Sequence, residues 1–104
     1  MLGGHTFATV SVGEEHTCGV TAAGVAWCWG DNSFGRLGDG TDDSTAEPVA
    51  VAGGHVFTAV DAGVSHTCGL TVTGEAYCWG RGSGGRLGDG QGADSWVPVR
   101  VSNP

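Results

Sequence analysis

The apolar residues of this chain fall in short alternating runs that glycines interrupt, a pattern typical of β-strands. No window carries apolar residues at helical spacing without a glycine breaking it. The pattern therefore predicts an all-β protein with four strands in each half of the chain. The predicted strands are Phe7–Val12, His16–Thr21, Val25–Trp29, Pro48–Val51, Phe57–Ala62, His66–Thr71, Glu75–Trp79 and Pro98–Val101.

The two halves of the chain repeat one pattern. The segment "HTCGVTAAGVAWCWG" returns as "HTCGLTVTGEAYCWG", and half of the positions in 1–50 are identical to those in 51–100. We therefore divide the chain into a first repeat, residues 1–50, and a second repeat, residues 51–104. Repeats of this length, built of strands and glycines, indicate a propeller or solenoid in which one unit cannot bury its faces alone.

A hairpin is predicted between the second and third strands of each repeat. Its loops, "TAAGV" and "TVTGE", place glycine last of three residues, where a left-handed backbone is needed. This loop sets Cys18 opposite Cys28, and Cys68 opposite Cys78. Opposed residues lie close enough for a disulfide after a small adjustment, so we expect one bridge inside each hairpin.

Two alternatives use the same cysteines. They are buried free thiols and a metal site of three side chains per repeat, namely His16, Cys18 and Cys28, repeated at His66, Cys68 and Cys78. Structural zinc usually takes cysteines at closer spacing, so the disulfides are favoured and no metal is expected. We assign the two histidines to hydrogen bonds with backbone atoms at the strand entrance.

The third strand of each repeat is apolar on both faces. Alternation places Trp27 and Trp29 on one face and an alanine and a cysteine on the other. A sheet that is apolar on both sides must be covered on both sides. We therefore expect Trp27, Trp29 and their counterparts Tyr77 and Trp79 to pack between stacked propeller blades.

The charge of the chain is strongly acidic. It contains 11 acidic residues against 4 basic ones and carries a formal net charge of -7. Nucleic acid is not expected as a partner, because phosphate binding needs a basic surface. Membrane insertion is not expected either, since no apolar run approaches the ~20 residues of a membrane-spanning helix.

Catalytic and cofactor chemistry has little support in the sequence. No nucleophile has an evident neighbouring base, and "GRLGDG" lacks the lysine of a phosphate-binding loop, so its glycines are expected to serve tight turns packed between blades. The alternative is a small calcium site formed by Asp39, Asp42 and Asp43. The second repeat does not keep this set, because Gly92 and Ala93 replace the last two aspartates. We expect no enzyme, no cofactor and no metal.

The repeat resembles that of the regulator of chromosome condensation family. The resemblance rests on His-Thr, a glycine turn, aromatic-x-Trp-Gly, "GRLGDG" and a Pro-Val strand, which occur twice and span nearly the whole chain. It implies four-stranded propeller blades, seven in the family's closed ring against two repeats here, that form a rigid platform for protein partners. The paired cysteines resemble variants of the repeat in exported bacterial proteins. They imply an extracellular, cell-surface or periplasmic location, with the signal peptide absent from this chain.

Self-assembly is the function that the repeat phase favours. In the family that the repeat resembles, a blade starts at the "HTC" strand and finishes with the strand before the next "HTC". The resemblance therefore implies a complete blade over about residues 13–62 and an incomplete one over about 63–101. A strand equivalent to 7–12 would complete the second blade in the next copy, as a ring with an even number of blades or as a filament. The residues of this assembly strand are Phe7, Ala8, Thr9, Val10, Ser11 and Val12.

Two other functions remain open on the sequence alone. The chain is alternatively a fragment of a longer secreted propeller that binds or inhibits another protein. The third hypothesis is a carbohydrate-binding module. It is motivated by the aromatic residues Trp27, Trp29, Tyr77, Trp79 and Trp96.

Overall fold

The computed structural model describes residues 7–82 and 94–101, which form two antiparallel sheets of four strands each. Both sheets keep their strands in sequence order. The strands are β1 (Phe7–Val12), β2 (His16–Thr21), β3 (Ala26–Gly30), β4 (Thr45–Ala50), β5 (Phe57–Ala62), β6 (His66–Thr71), β7 (Ala76–Gly80) and β8 (Ser95–Arg100). A 3-10 helix, Ser33–Gly35, lies between β3 and β4. This confirms the predicted all-β class with two blades.

The strand bounds differ from the predicted ones mainly in the outer strands. β1, β2, β5 and β6 have the predicted bounds, and β3 and β7 are displaced by a single residue. β4 and β8 begin earlier than predicted, so Pro48 and Pro98 lie inside these strands. Proline is tolerated there because both strands lie at a sheet edge, where no neighbour needs the missing N–H.

The predicted blade boundaries, about 13–62 and about 63–101, are wrong. β1 pairs with β2 of its own repeat, and β5 pairs with β6 in the same register. A tight turn joins β1 to β2, closed by the N–H of Gly13, which donates to the carbonyl of His16 at 2.8 Å. The connection from β4 to β5 is longer, so pairing β5 with β4 would cost more loop entropy than the pairing observed.

The assembly strand of the sequence hypothesis is therefore already paired within its own chain. Phe7–Val12 forms one edge of the first sheet, and the second sheet has its own first strand, Phe57–Ala62. Since neither sheet lacks a strand, the described residues contain no incomplete blade of the kind that strand complementation requires.

The two sheets stack face to face. β5 packs on β1 and β2, and the 3-10 helix packs on β7 and β8. A buried hydrophobic cluster joins residues of both blades, namely Cys18, Val20, Ala26, Cys28, Leu37, Phe57 and Trp79. The core of this chain therefore lies between the sheets. Within the described ranges, no helix is long and apolar enough to cross a membrane.

The turn glycines provide a matched test of this stacking. Gly24 and Gly74 have φ of 87° and 88°, as the three-residue loops predict. An added Cβ at Gly24 would overlap Cγ1 of Val56 on the other blade, whereas at Gly74 it meets nothing within 4 Å. The two positions thus share their backbone strain and differ only in packing.

We predict that Gly24→Ala lowers the free energy of unfolding more than Gly74→Ala does. Both variants bear about 1 kcal/mol of left-handed strain, and only the first also pushes the blades apart. Urea unfolding of dilute protein measures the difference. Equal losses for the two variants would contradict the stacking of the blades.

Candidate functional site: the blade interface and the exposed blade faces

The cysteines form the two disulfides that the hairpin register predicts. Cys18 lies opposite Cys28 in the β2–β3 ladder with Cα atoms 4.1 Å apart, and the two are bonded. Cys68 and Cys78 do the same at 4.0 Å. All four cysteines are used, which rules out both the free-thiol alternative and the zinc alternative.

A buried polar chain crosses the interface between the blades. Nε2 of His16 lies 2.7 Å from Oγ1 of Thr67, and this hydroxyl donates to the carbonyl of Arg36 at 2.7 Å. A threonine hydroxyl has one proton, which here goes to the carbonyl, so Nε2–H of His16 must be the donor to Thr67. The network fixes the neutral Nε2–H tautomer of His16.

This contact corrects the backbone hydrogen bond that we predicted for His16. The ring reaches a side chain of the other blade, a partner that a single repeat cannot reveal. Nδ1 of His16 is buried and has no hydrogen-bond partner among the described residues. Burial, followed by the positive charge of Arg36, lowers the pKa of His16 from 6.5 to about 4.

Arg36 fastens the loop after β3 to the second blade. Its side chain is buried and pairs with the carboxylate of Asp31 at 3.3 Å. Nη1 donates to the carbonyl of Val64 in the β5–β6 turn at 2.8 Å, and Nε donates to the carbonyl of Ser33 at 3.0 Å. The guanidinium therefore has a structural role at the interface.

The loop between β3 and β4 is organised around Asn32, whose side chain is fully buried. Its Nδ2 donates to the carbonyls of Thr41 and Asp43 at 2.9 and 3.1 Å, and its Oδ1 accepts from the N–H of Leu37 at 2.8 Å. Oδ1 of Asp39 accepts from Nδ2 of Asn32 and from Thr41, so it stabilises the turn itself. Residues 7–82 and 94–101 contain no group of three side chains able to hold a metal.

The glycines of "GRLGDG" pack between the blades in the first repeat, as predicted. Gly38 has a φ of 73° and approaches the indole of Trp79 so closely that a Cβ would lie 2.6 Å from Nε1. Only glycine combines this backbone with this approach. The counterpart loop of the second repeat, at 85–90, lies outside the described residues.

The four predicted packing aromatics occupy different environments. Trp79 is 0% exposed and stacks with Phe57 at the interface, with ring centroids 5.8 Å apart. Its counterpart Trp29 is half-buried and stacks with Phe7 at 5.5 Å on the opposite side of the first sheet. Trp27 and Tyr77 are half-buried as well. Of the four, Trp79 belongs to the buried cluster between the blades, and Tyr77 packs against that cluster.

Each sheet has one face on the interface, which we call its inner face, and one that points away, its outer face. Val20, on the inner face of the first sheet, is 2% exposed, and its counterpart Leu70 is 46% exposed. On the opposite faces, Ala62 is 8% exposed and its counterpart Val12 is 74% exposed. The two outer faces therefore carry apolar residues at the positions equivalent to those that form the interface.

Two residues of the interface, Thr67 and Arg36, were not predicted from the sequence. Both lie in motifs that occur in each repeat, "HTCG" and "GRLG". That recurrence was a usable signal, because a polar residue that is repeated between apolar ones often has a fixed hydrogen-bond partner.

Comparison with known families identifies the repeat. The family model for the Regulator of chromosome condensation (RCC1) repeat matches residues 23–70 and 73–104. A second model of the same description matches residues 7–36 and 57–86. Each model covers more than half of the chain.

Solved structures share the fold. Prp20p from Saccharomyces cerevisiae matches 99% of this chain with a TM-score of 0.84 and 23% identity. Human WBSCR16 matches 96% of this chain with a TM-score of 0.84 and 24% identity. The match covers 27% of each of these proteins, so this chain corresponds to about a quarter of their length. The TM-scores establish a common propeller-blade fold, and identities this low establish nothing beyond the fold.

We predict that the two disulfides differ in their resistance to reduction. Cys18 and Cys28 are both fully buried at the interface, whereas Cys68 is partly exposed on the outer face of the second blade. In dilute protein, a mild thiol reductant should therefore open Cys68–Cys78 first. Alkylation followed by peptide mapping measures the order, and earlier opening of Cys18–Cys28 would contradict the stacking.

We predict that the protein loses stability as the pH falls from 6.5 towards 4. Below pH 6.5 the unfolded chain binds a proton at His16 that the folded chain, with its pKa of about 4, does not bind. Urea unfolding at a series of pH values measures this slope. His16→Gln retains an N–H donor for Thr67 and should flatten the slope, whereas Thr67→Ser, which keeps the hydroxyl, should preserve it. An unchanged slope in His16→Gln would refute the assignment.

Proposed function

Because the chain belongs to the regulator of chromosome condensation repeat family, we propose that it is a non-catalytic module that binds protein through the outer faces of its two propeller blades. The observation that carries the proposal is the exposure of Leu70 at 46%, where the equivalent Val20 is 2% exposed. A surface that one blade uses to hold its neighbour is displayed again on the second blade.

The shape and chemistry of this outer face suit a protein side chain. It contains a shallow hollow of about 230 Å³, lined by Ala59, Val60, Asp61, Cys68, Gly69, Leu70 and Ala76. The hollow is mostly apolar with one carboxylate, the composition of a protein-binding surface. Two classes of partner satisfy it, another copy of this chain and a different protein with an apolar face.

Related propellers support a protein partner. Yeast Prp20p is described with binding to Gsp1p and histones, and in a second structure it is bound to Kap60. The two disulfides support the further proposal that this chain works in an oxidising compartment, outside the cell or in the periplasm.

The hypothesis of a carbohydrate-binding module has less support. Trp79 is fully buried and cannot stack on a sugar, and the exposed Trp96 lies with its backbone and ring against Gly35. A groove of about 270 Å³ lies at the seam between the blades, and none of the residues that line it is titratable. These residues are Ala8, Val20, Thr21, Ala22, Ala23, Gly24, Val56, Phe57, Thr58 and Val72.

The proposal predicts site-specific contact with protein in the cells that make this chain. A photo-reactive benzoyl-phenylalanine at Leu70 should give protein adducts, because this position faces the partner. The same residue at Val64, which is exposed in the β5–β6 turn, should give few. Adducts are read by mass on denaturing gels. Equal labelling at both positions, or none at Leu70, would show that this outer face does not bind protein.

A further inference from the structure

The strands of this chain contain both halves of one sheet-to-sheet contact twice, once joined and once apart. The inner face of the first sheet is the receiving half, and the inner face of the second sheet is the inserting half. The outer face of the second sheet repeats the receiving half, and the outer face of the first sheet repeats the inserting half. The two exposed halves lie at opposite ends of the blade stack.

The receiving half is nearly identical in both places. Cys18 and Ala26 recur as a cysteine and an alanine, and Val20 recurs as the larger apolar Leu70. In the first blade these positions belong to the buried cluster that contains Phe57 and Trp79. In the second blade the same positions line the hollow around Leu70.

The inserting half is also repeated. Phe57 and Trp79 stack with centroids 5.8 Å apart and enter the interface, and Phe7 and Trp29 keep nearly the same arrangement at 5.5 Å. The outer face of the first sheet thus presents a preformed aromatic pair. Its ring separation is close to that of the pair that the receiving half accepts inside the chain, and its interplanar angle is 32° against 49°.

Two of the polar contacts at the interface involve residues whose counterparts are described at the ends of the stack. His16 and Thr67 bond across the internal interface, and their counterparts His66 and Thr17 lie on the two outer faces. At the hairpin turns, the carbonyl of Gly24 accepts the N–H of Phe57 at 2.8 Å, and the equivalent Gly74 borders open space. Hydrogen-bonding positions therefore match as well as apolar ones.

From this correspondence, we propose that the partner of the outer faces is a second copy of the chain, bound head to tail. Phe7 and Trp29 of one copy pack on Cys68 and Leu70 of the next, in the geometry of the internal interface. This step rests on the protein-binding function proposed above and names its partner. The contact joins different surfaces, so it continues into a ring when the rotation closes and into a filament otherwise.

Two of the residue differences between the repeats change the chemistry of this contact. Asp61 replaces Ser11 in the receiving half, and Val12 replaces Ala62 in the inserting half. The carboxylate can still accept a hydrogen bond, as Ser11 does from the N–H of Ala62 at 3.0 Å. Each copy carries a formal net charge of -7, so the copies repel one another and added salt should strengthen their association.

The test uses the purified full chain and three glutamate variants. Leu70→Glu places a charge in the receiving half, and Val10→Glu places one in the inserting half. The control is Val64→Glu, an exposed turn position whose counterpart in the first repeat is already Glu14. Circular dichroism and thermal unfolding first establish that each variant is folded.

Sedimentation velocity over a concentration series then measures association. The wild-type chain and Val64→Glu should form species larger than a dimer, with association that strengthens in salt. Leu70→Glu and Val10→Glu should each weaken self-association more than about tenfold, since a carboxylate buried in an apolar contact costs at least that factor.

Mixing the two face variants gives the decisive result. Leu70→Glu keeps an intact inserting half and Val10→Glu keeps an intact receiving half, so the mixture should form a one-to-one dimer that grows no further. Self-association of either variant alone would show that like faces pair and would overturn the head-to-tail mode. A wild-type chain that stays monomeric at high concentration would overturn the second copy as partner. Photo-adducts of Leu70 to a different protein would then leave the proposed protein-binding function standing.

Discussion

Burial of one sheet face by the next is the constraint on which this structure depends. Each repeat forms a sheet whose two faces are both apolar, and one sheet alone has nothing to pack against. The buried cluster therefore draws on both blades, with Cys18 and Val20 from the first and Phe57 and Trp79 from the second. In a chain of 104 residues such a core is small, and a disulfide in each hairpin compensates by holding the strands that supply it.

The apolar contact brings the blades together, and the polar network sets their relative position. The chain from His16 through Thr67 to the carbonyl of Arg36 is buried, and each member has a partner only at one offset of the sheets. Sliding the sheets would leave these groups desolvated without hydrogen bonds, which costs more than the apolar contacts would regain. Arg36 adds a second fixed point at the carbonyl of Val64.

The sequence predicts the local features well and the features that join distant residues poorly. The disulfides, the turn glycines and most strand bounds depend on residues close along the chain, and the internal repeat shows each of them twice. The blade phase depends on whether β1 or β5 pairs with the first sheet, a choice between two nearby hairpins that connection length decides. The partner of His16 lies in the other repeat, so no pattern within one repeat could identify Thr67.

Whether a stack of repeats recruits a further repeat depends on the polarity of its terminal faces. Repeat proteins that remain monomeric usually carry polar residues on their terminal faces, because an apolar terminal face recruits another repeat. Here the outer face of the second blade has the exposed Leu70 and, in place of Ser11, the carboxylate of Asp61, so this face is modified without becoming polar. The internal contact has the advantage of a covalent linkage, which raises the effective concentration of its two halves. A contact between copies lacks that advantage and must also overcome repulsion between acidic chains. In the proposed assembly, the same surface chemistry thus forms a permanent interface inside the chain and a concentration-dependent one between copies.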